Sequence, residues 1–185
     1  MIKKLLQAAV LVVGGLALGG CPLQQQARTT APKPPAADYQ AASTTPAPPA
    51  GSIRAICYNE ADLATYRGRM AQQEFTVGTL QCQTAGGSRA YESLYASFLS
   101  KFQADLGANA RALQTLSRSK RFNIDVIVTE FANRTAQRAP VDKEFCGRFK
   151  RAFDWALSSQ VTSLSQVPPP YDLSPEMNVY PCPAQ

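Results

Sequence analysis

The 185-residue chain contains no histidine. That absence excludes a Ser-His-Asp or Cys-His catalytic pair and removes the commonest transition-metal ligand. The five cysteines, at 21, 57, 82, 146 and 182, form no C-x-x-C pair, so no zinc site or other cofactor is expected. Phenylalanine and tryptophan are absent before residue 75, which leaves the first part of the chain little to build a core from. The apolar run LLQAAVLVVGGLALGG, residues 5–20, is short for a membrane-spanning helix, which needs about 20 apolar residues, and glycines interrupt it. Acidic residues number 13 against 19 basic ones, a net charge of +6. Such an excess bears on solubility and on encounter with anionic surfaces rather than on fold.

What is present at the N-terminus has an order. Met1-Ile2-Lys3-Lys4 is a cationic start, the apolar run follows, and small residues close it. Those are the parts of a secretory signal peptide, expected over residues 1–20. Leu18-Gly19-Gly20-Cys21 resembles the lipobox of bacterial lipoproteins: an aliphatic residue, two small residues, then the acylated cysteine. The resemblance implies cleavage between Gly20 and Cys21, a diacylglycerol thioether on Cys21, and a membrane partner reached through that lipid. It also implies a cell-envelope location facing the periplasm, at the outer membrane sooner than the inner. Each buried acyl methylene contributes ~0.8 kcal/mol, so two or three chains on one cysteine hold a domain durably. The four remaining cysteines are an even number, and in an exported protein they read as two disulfides.

Residues 22–52 hold seven prolines among alanine, threonine, serine and glutamine. Such a stretch buries too little surface to offset its ordering entropy, so residues 21–52 read as the lipidated cysteine and a disordered tether. Its expected reach is ~28–33 Å as a flexible coil and up to about 95 Å as polyproline II. Residues 53–167 read as one helical domain, and 168–185, with six prolines, as an irregular tail docked by a disulfide.

Within the domain the apolar spacing predicts four helices, an all-α up-down bundle. Asn59 caps the first, whose apolar line is Leu63, Tyr66, Met70, Val77 and Leu80, ending at Cys82. Ser88 caps the second, with Tyr91, Tyr95, Phe98, Phe102 and Leu106 on one stripe and Gly107 as the place for a bend. RFNIDVIVTEFANRTAQR has the β-branching of a strand, but its polar continuation favours helix. Asp142 caps the last helix, with Phe145, Phe149 and Phe153 on one side. In that topology Cys82 and Cys146 share one end of the bundle, and Cys57 and Cys182 the other. Of three connectivities, 82–146 with 57–182 is the one favoured, and Tyr58, Tyr171 and Tyr180 are placed to pack over the second bridge.

Two basic clusters are candidate contacts for an anionic partner: Arg118, Lys120 and Arg121 before the third helix, and Arg148, Lys150 and Arg151 on the fourth. A solvated basic surface is the favoured reading of both, since nothing spaces these groups for a particular ligand, and nucleic acid is not an expected partner of an exported lipoprotein. Tyr91-Glu92-Ser93 resembles the Glu-Ser pair around the catalytic acid of lytic transglycosylases, but the Gly-rich stretch and Gly-Leu-Met-Gln turn of that family do not follow. Residues 57–155 also resemble small helical proteins secreted by Gram-negative bacteria, through Arg69-Met70, Cys82, the Tyr91–Phe102 segment and Phe145-Cys146. That likeness implies no activity. The expected function is therefore non-enzymatic: an anchored domain that binds or organises an envelope protein or anionic envelope polymer. The alternatives are a peptidoglycan-cleaving enzyme acting through Glu92, Glu74 or Glu130, and a purely structural spacer.

Overall fold

The structure, a computed structural model, describes residues 37–41, 57–173 and 177–182. The expected signal peptide, Cys21 and most of the expected tether lie outside the described residues. Asn59 opens the first helix, α1 (Glu60–Gln81), as its side chain predicts. Its side-chain oxygen accepts from the Asp62 N–H at 2.8 Å while the Asp62 carboxylate accepts from the Asn59 N–H at 3.1 Å, a reciprocal capping box. Four more α-helices follow: α2 (Glu92–Lys101), α3 (Gln103–Lys120), α4 (Ile124–Arg138) and α5 (Phe145–Leu157). A 3-10 turn spans Leu164–Gln166. Two short strands, β1 (Cys57–Tyr58) and β2 (Tyr180–Pro181), pair in parallel with Cys57 opposite Tyr180.

The domain is all-α in its helices, but five of them replace the expected four. The second predicted helix is broken in two, and not where Gly107 suggested. Phe102, at φ −107° and ψ 18°, ends α2 and opens α3, while Gly107 sits inside α3. The bend preserves hydrogen bonding, because the Phe102 N–H donates to the Phe98 carbonyl and the Leu106 N–H to the Phe102 carbonyl. Packing explains its position. A straight helix could not lay α2 along α5 and α3 along α1 while burying both Phe98 and Phe102, and the two rings are 0% and 1% exposed. The α2 start is also set differently: Tyr91, not Ser88, precedes it. Ser88 instead closes a turn in which Gly87 adopts φ +79°, a conformation costly to any other residue type.

Directions follow from the contacts. The Lys120 ammonium at the end of α3 donates to the Cys57 carbonyl and lies 3.5 Å from Asp62, so α3 runs antiparallel to α1. Cys146 at the start of α5 is bonded to Cys82 at the end of α1, so α5 is antiparallel to it too. The second bridge joins Cys57 and Cys182. Both pairings match the connectivity the up-down order favours, since splitting one helix does not reverse the chain's passes. Tyr171 departs from expectation: it packs with Phe145 and Phe149, whereas Tyr58 and Tyr180 flank the 57–182 bridge.

Two apolar clusters lie along α1. Its first half gives Leu63, Tyr66 and Met70 to a cluster with Tyr58, Leu116, Phe131, Leu173 and Val179. Its second half gives Ala71, Phe75 and Val77 to the larger cluster with Phe98, Phe102, Phe149, Phe153 and Tyr171. Leu80, expected on the same line, is 46% exposed. The ambiguous third segment is helix: Asn123 caps α4 by accepting from the Asp125 N–H at 2.8 Å, and Phe131 fills the first-half cluster.

The larger cluster contains Tyr39, from the segment expected to be a tether, and its side chain is fully buried. One aromatic ring supplies the apolar area that the surrounding proline and alanine lack.

Candidate functional site

The densest set of buried polar groups lies where the 168–173 segment meets α1, α4 and α5. Three prolines precede Tyr171, and proline has no N–H, so the Tyr171 amide is the first donor after them. It donates to Glu74 Oε2 at 2.9 Å. The Tyr171 hydroxyl donates to Asp142 Oδ2 at 2.6 Å. Its ring is flanked by two guanidinium groups, Arg138 at 4.5 Å and Arg148 at 5.3 Å from the ring centre. Arg148 also donates to Asp142 Oδ2 at 3.2 Å and to the Tyr39 carbonyl at 2.7 Å.

Glu74 is completely buried and its Oε1 has no hydrogen-bond partner among the described residues. Burial pushes its carboxyl well above the ordinary range, against the opposing pull of the Tyr171 amide and Arg138. That direction favours the neutral carboxyl and lessens the cost of an isolated buried charge. Asp142 moves the other way. Burial disfavours its charged form, but hydrogen bonds from the Tyr171 hydroxyl and the Glu144 amide, with the Arg148 charge, outweigh that and lower it. Burial followed by the bond to Asp142 raises the Tyr171 phenol. The network adds polar fixation to a segment whose Tyr171 and Leu173 are already buried in the two apolar clusters.

Two concave surfaces are open to solvent. One, of about 360 Å³, runs between α1 and α3 beneath the 3-10 turn and is walled by small side chains: Ala64, Gly68, Ala108 and Ala112. Its polar members are committed to the fold, since Asp105 Oδ2 accepts from the Leu164 N–H at 2.7 Å and Asn109 Nδ2 donates to the Thr65 carbonyl at 2.9 Å. The other, of about 210 Å³, lies between α4 and residues 177–179 and is lined by Tyr66, Val126, Ile127, Glu130, Phe131 and Met177. Val126 at its edge is 64% exposed. Glu74 lines neither surface.

The glutamates singled out by sequence are not brought together. Glu92 is exposed at the start of α2, Glu130 pairs with Arg134 one turn along α4, and Glu74 is sealed in the core. The two basic clusters also stay apart. Arg118, Lys120 and Arg121 close α3 beside the start of α1, whereas Arg148, Lys150 and Arg151 lie on the part of α5 beside the end of α1. A 22-residue helix separates those ends by about 33 Å. Most of these charges also have internal partners. Lys120 meets Asp62, Arg148 meets Asp142, Lys150 meets Asp154 at 2.6 Å, and Arg151 lies 3.7 Å from Glu144. The Arg118 guanidinium donates to the Gln114 carbonyl, and Arg121 is exposed at φ +59° past the end of α3.

Among the described residues no group of three or more His, Cys, Asp or Glu side chains is placed to hold a metal ion, and no helix is long and apolar enough to cross a membrane. What the site offers chemically is fixation of one segment by another and two shallow concave surfaces. The partners of Tyr39 and Tyr171 were missed because they lie far along the chain, Pro168 and Arg148 for the first, Glu74 and Asp142 for the second. Comparison with protein-family models, with curated proteins and with solved structures returns no match to this chain.

Proposed function

We propose that the chain is a lipid-anchored protein of the bacterial cell envelope whose disulfide-stapled helical domain binds or organises another envelope component without catalysis. The lipid sits on Cys21, after removal of residues 1–20, and the domain faces the periplasm, at the outer membrane sooner than the inner. One observation carries this reading: Cys57, Cys82, Cys146 and Cys182 pair with each other, which accounts for every cysteine except the one in the lipobox-like Leu18-Gly19-Gly20-Cys21. Two disulfides suit an oxidising compartment outside the cytoplasm. A protein partner is favoured over an anionic polymer, because four of the six candidate basic side chains already neutralise carboxylates of the chain itself. The test is fractionation of cells producing the wild type and Cys21→Ser. The wild type is expected in the membrane fraction, and the variant is expected to be uncut or soluble. Equal membrane retention of a processed Cys21→Ser protein contradicts the reading.

A further inference from the structure

The tether does not simply end at the domain: residue 39 is built into it. Tyr39 is fully buried in the larger apolar cluster, with Ala37 and Ala41 packed beside it. Its hydroxyl donates to the Pro168 carbonyl at 2.8 Å, and the Ala41 N–H donates to the Pro170 carbonyl at 2.9 Å. The Arg148 guanidinium donates to the Tyr39 carbonyl at 2.7 Å while holding Asp142 and lying over the Tyr171 ring. The five residues thus gain a buried ring and three hydrogen bonds, two of them to carbonyls of a proline run that has no N–H of its own to offer in exchange.

We propose that Tyr39 is a clasp that sets how far the domain stands from its anchor. The proposal rests on the lipid-anchoring reading above. With the clasp closed, 18 peptide steps separate Cys21 from Tyr39; with it open, 36 steps separate Cys21 from Cys57. The upper limit of reach therefore doubles, from about 60–65 Å to about 120–130 Å at 3.3–3.6 Å per residue. The two states keep α1 to α5 and both disulfides, so reach changes without unfolding. The polar groups released on opening are the Pro168 and Pro170 carbonyls and Arg148, all able to meet water; the Tyr39 ring and the apolar surface that covers it are exposed with them.

The test uses the full mature protein, as purified from cells, on phospholipid vesicles. Hydrogen exchange reads the clasp at the Ala41 amide, and energy transfer from a dye at the exposed Gln160 to a dye in the lipid surface reads the reach. The wild type is expected to exchange Ala41 about 30- to 100-fold more slowly than a free peptide. Tyr39→Ala is expected to abolish that protection and to lower the energy transfer, with the amides of Phe75 and Phe149 still protected. Tyr39→Phe keeps the ring and removes only the donor to Pro168; it is expected to speed Ala41 exchange about 5- to 10-fold, and it keeps the test decisive where Tyr39→Ala also loosens the core. Free-peptide exchange of Ala41 in the wild type overturns the proposal, as does released Ala41 with unchanged energy transfer. Wild-type protein that does not bind vesicles at all, its Ala41 still protected, identifies failure of the anchoring reading, and a setting of membrane distance falls with it.

Discussion

Gly78 of α1 and Phe149 of α5 meet so closely that a Cβ on residue 78 would lie 2.4 Å from the ring. Glycine here is a packing requirement, although in a helix interior it costs about 0.5–1 kcal/mol relative to alanine. Gly78→Ala recovers that propensity but forces the ring of a fully buried phenylalanine to move, at about 1–3 kcal/mol. The expected result is a net loss of about 1–2 kcal/mol in denaturant unfolding. Gly68→Ala meets only the end of a side chain, Asn109 Nδ2 at 2.6 Å, and is expected to cost less.

The bridges close long loops, separated by 64 residues for 82–146 and 125 for 57–182. On the chain-entropy account, replacing both cysteines of a pair by alanine lowers stability by about 4 kcal/mol for the first and about 5 kcal/mol for the second. Unfolding of each double variant against the oxidised wild type checks the order and the size.

Glu74 gives the domain a pH dependence of defined sign. Its folded-state carboxyl is raised above the ordinary 4.5, so folding stability from this group is complete below that value. As pH rises above 4.5 the unfolded chain loses the proton and the native one keeps it, so stability falls until the native group also ionises. Asp142 acts in the opposite sense and lower window: lowered from 3.8, it supports the fold above that value and withdraws support as pH falls below it. Glu74→Gln removes the first slope and leaves the second. Unfolding free energies measured at pH 4.5 and 8 are expected to fall between those values in the wild type and to change much less in the variant. An equal drop in both proteins contradicts the assignment.

The parts of this fold written in short stretches were legible: the Asn59 cap, the end of α1 at Cys82, the aromatic face of α5. The disulfide pairing was legible too, because it depends only on how many times the chain reverses. Phe102 was not, since nothing local distinguishes a phenylalanine inside a helix from one at a bend; the demand to bury Phe98 and Phe102 against different neighbours decides it. Tyr39 and Tyr171 were hidden for the same reason. Composition averages over a proline-rich stretch and cannot register one tyrosine whose partners lie 109 and 129 residues away. The basic clusters were visible as charge but not as paired charge, because Asp62, Asp142, Glu144 and Asp154 reach them only through the fold or a helix turn.

Intact-mass spectrometry of the protein purified from bacterial membranes tests the central claim most directly. The account predicts a chain beginning at Cys21, heavier than the bare polypeptide by a diacylglyceryl group and any further acyl chain, and lighter by the four hydrogens lost in forming two disulfides. A chain that still carries residues 1–20, or one whose Cys21 bears an unmodified thiol, contradicts it.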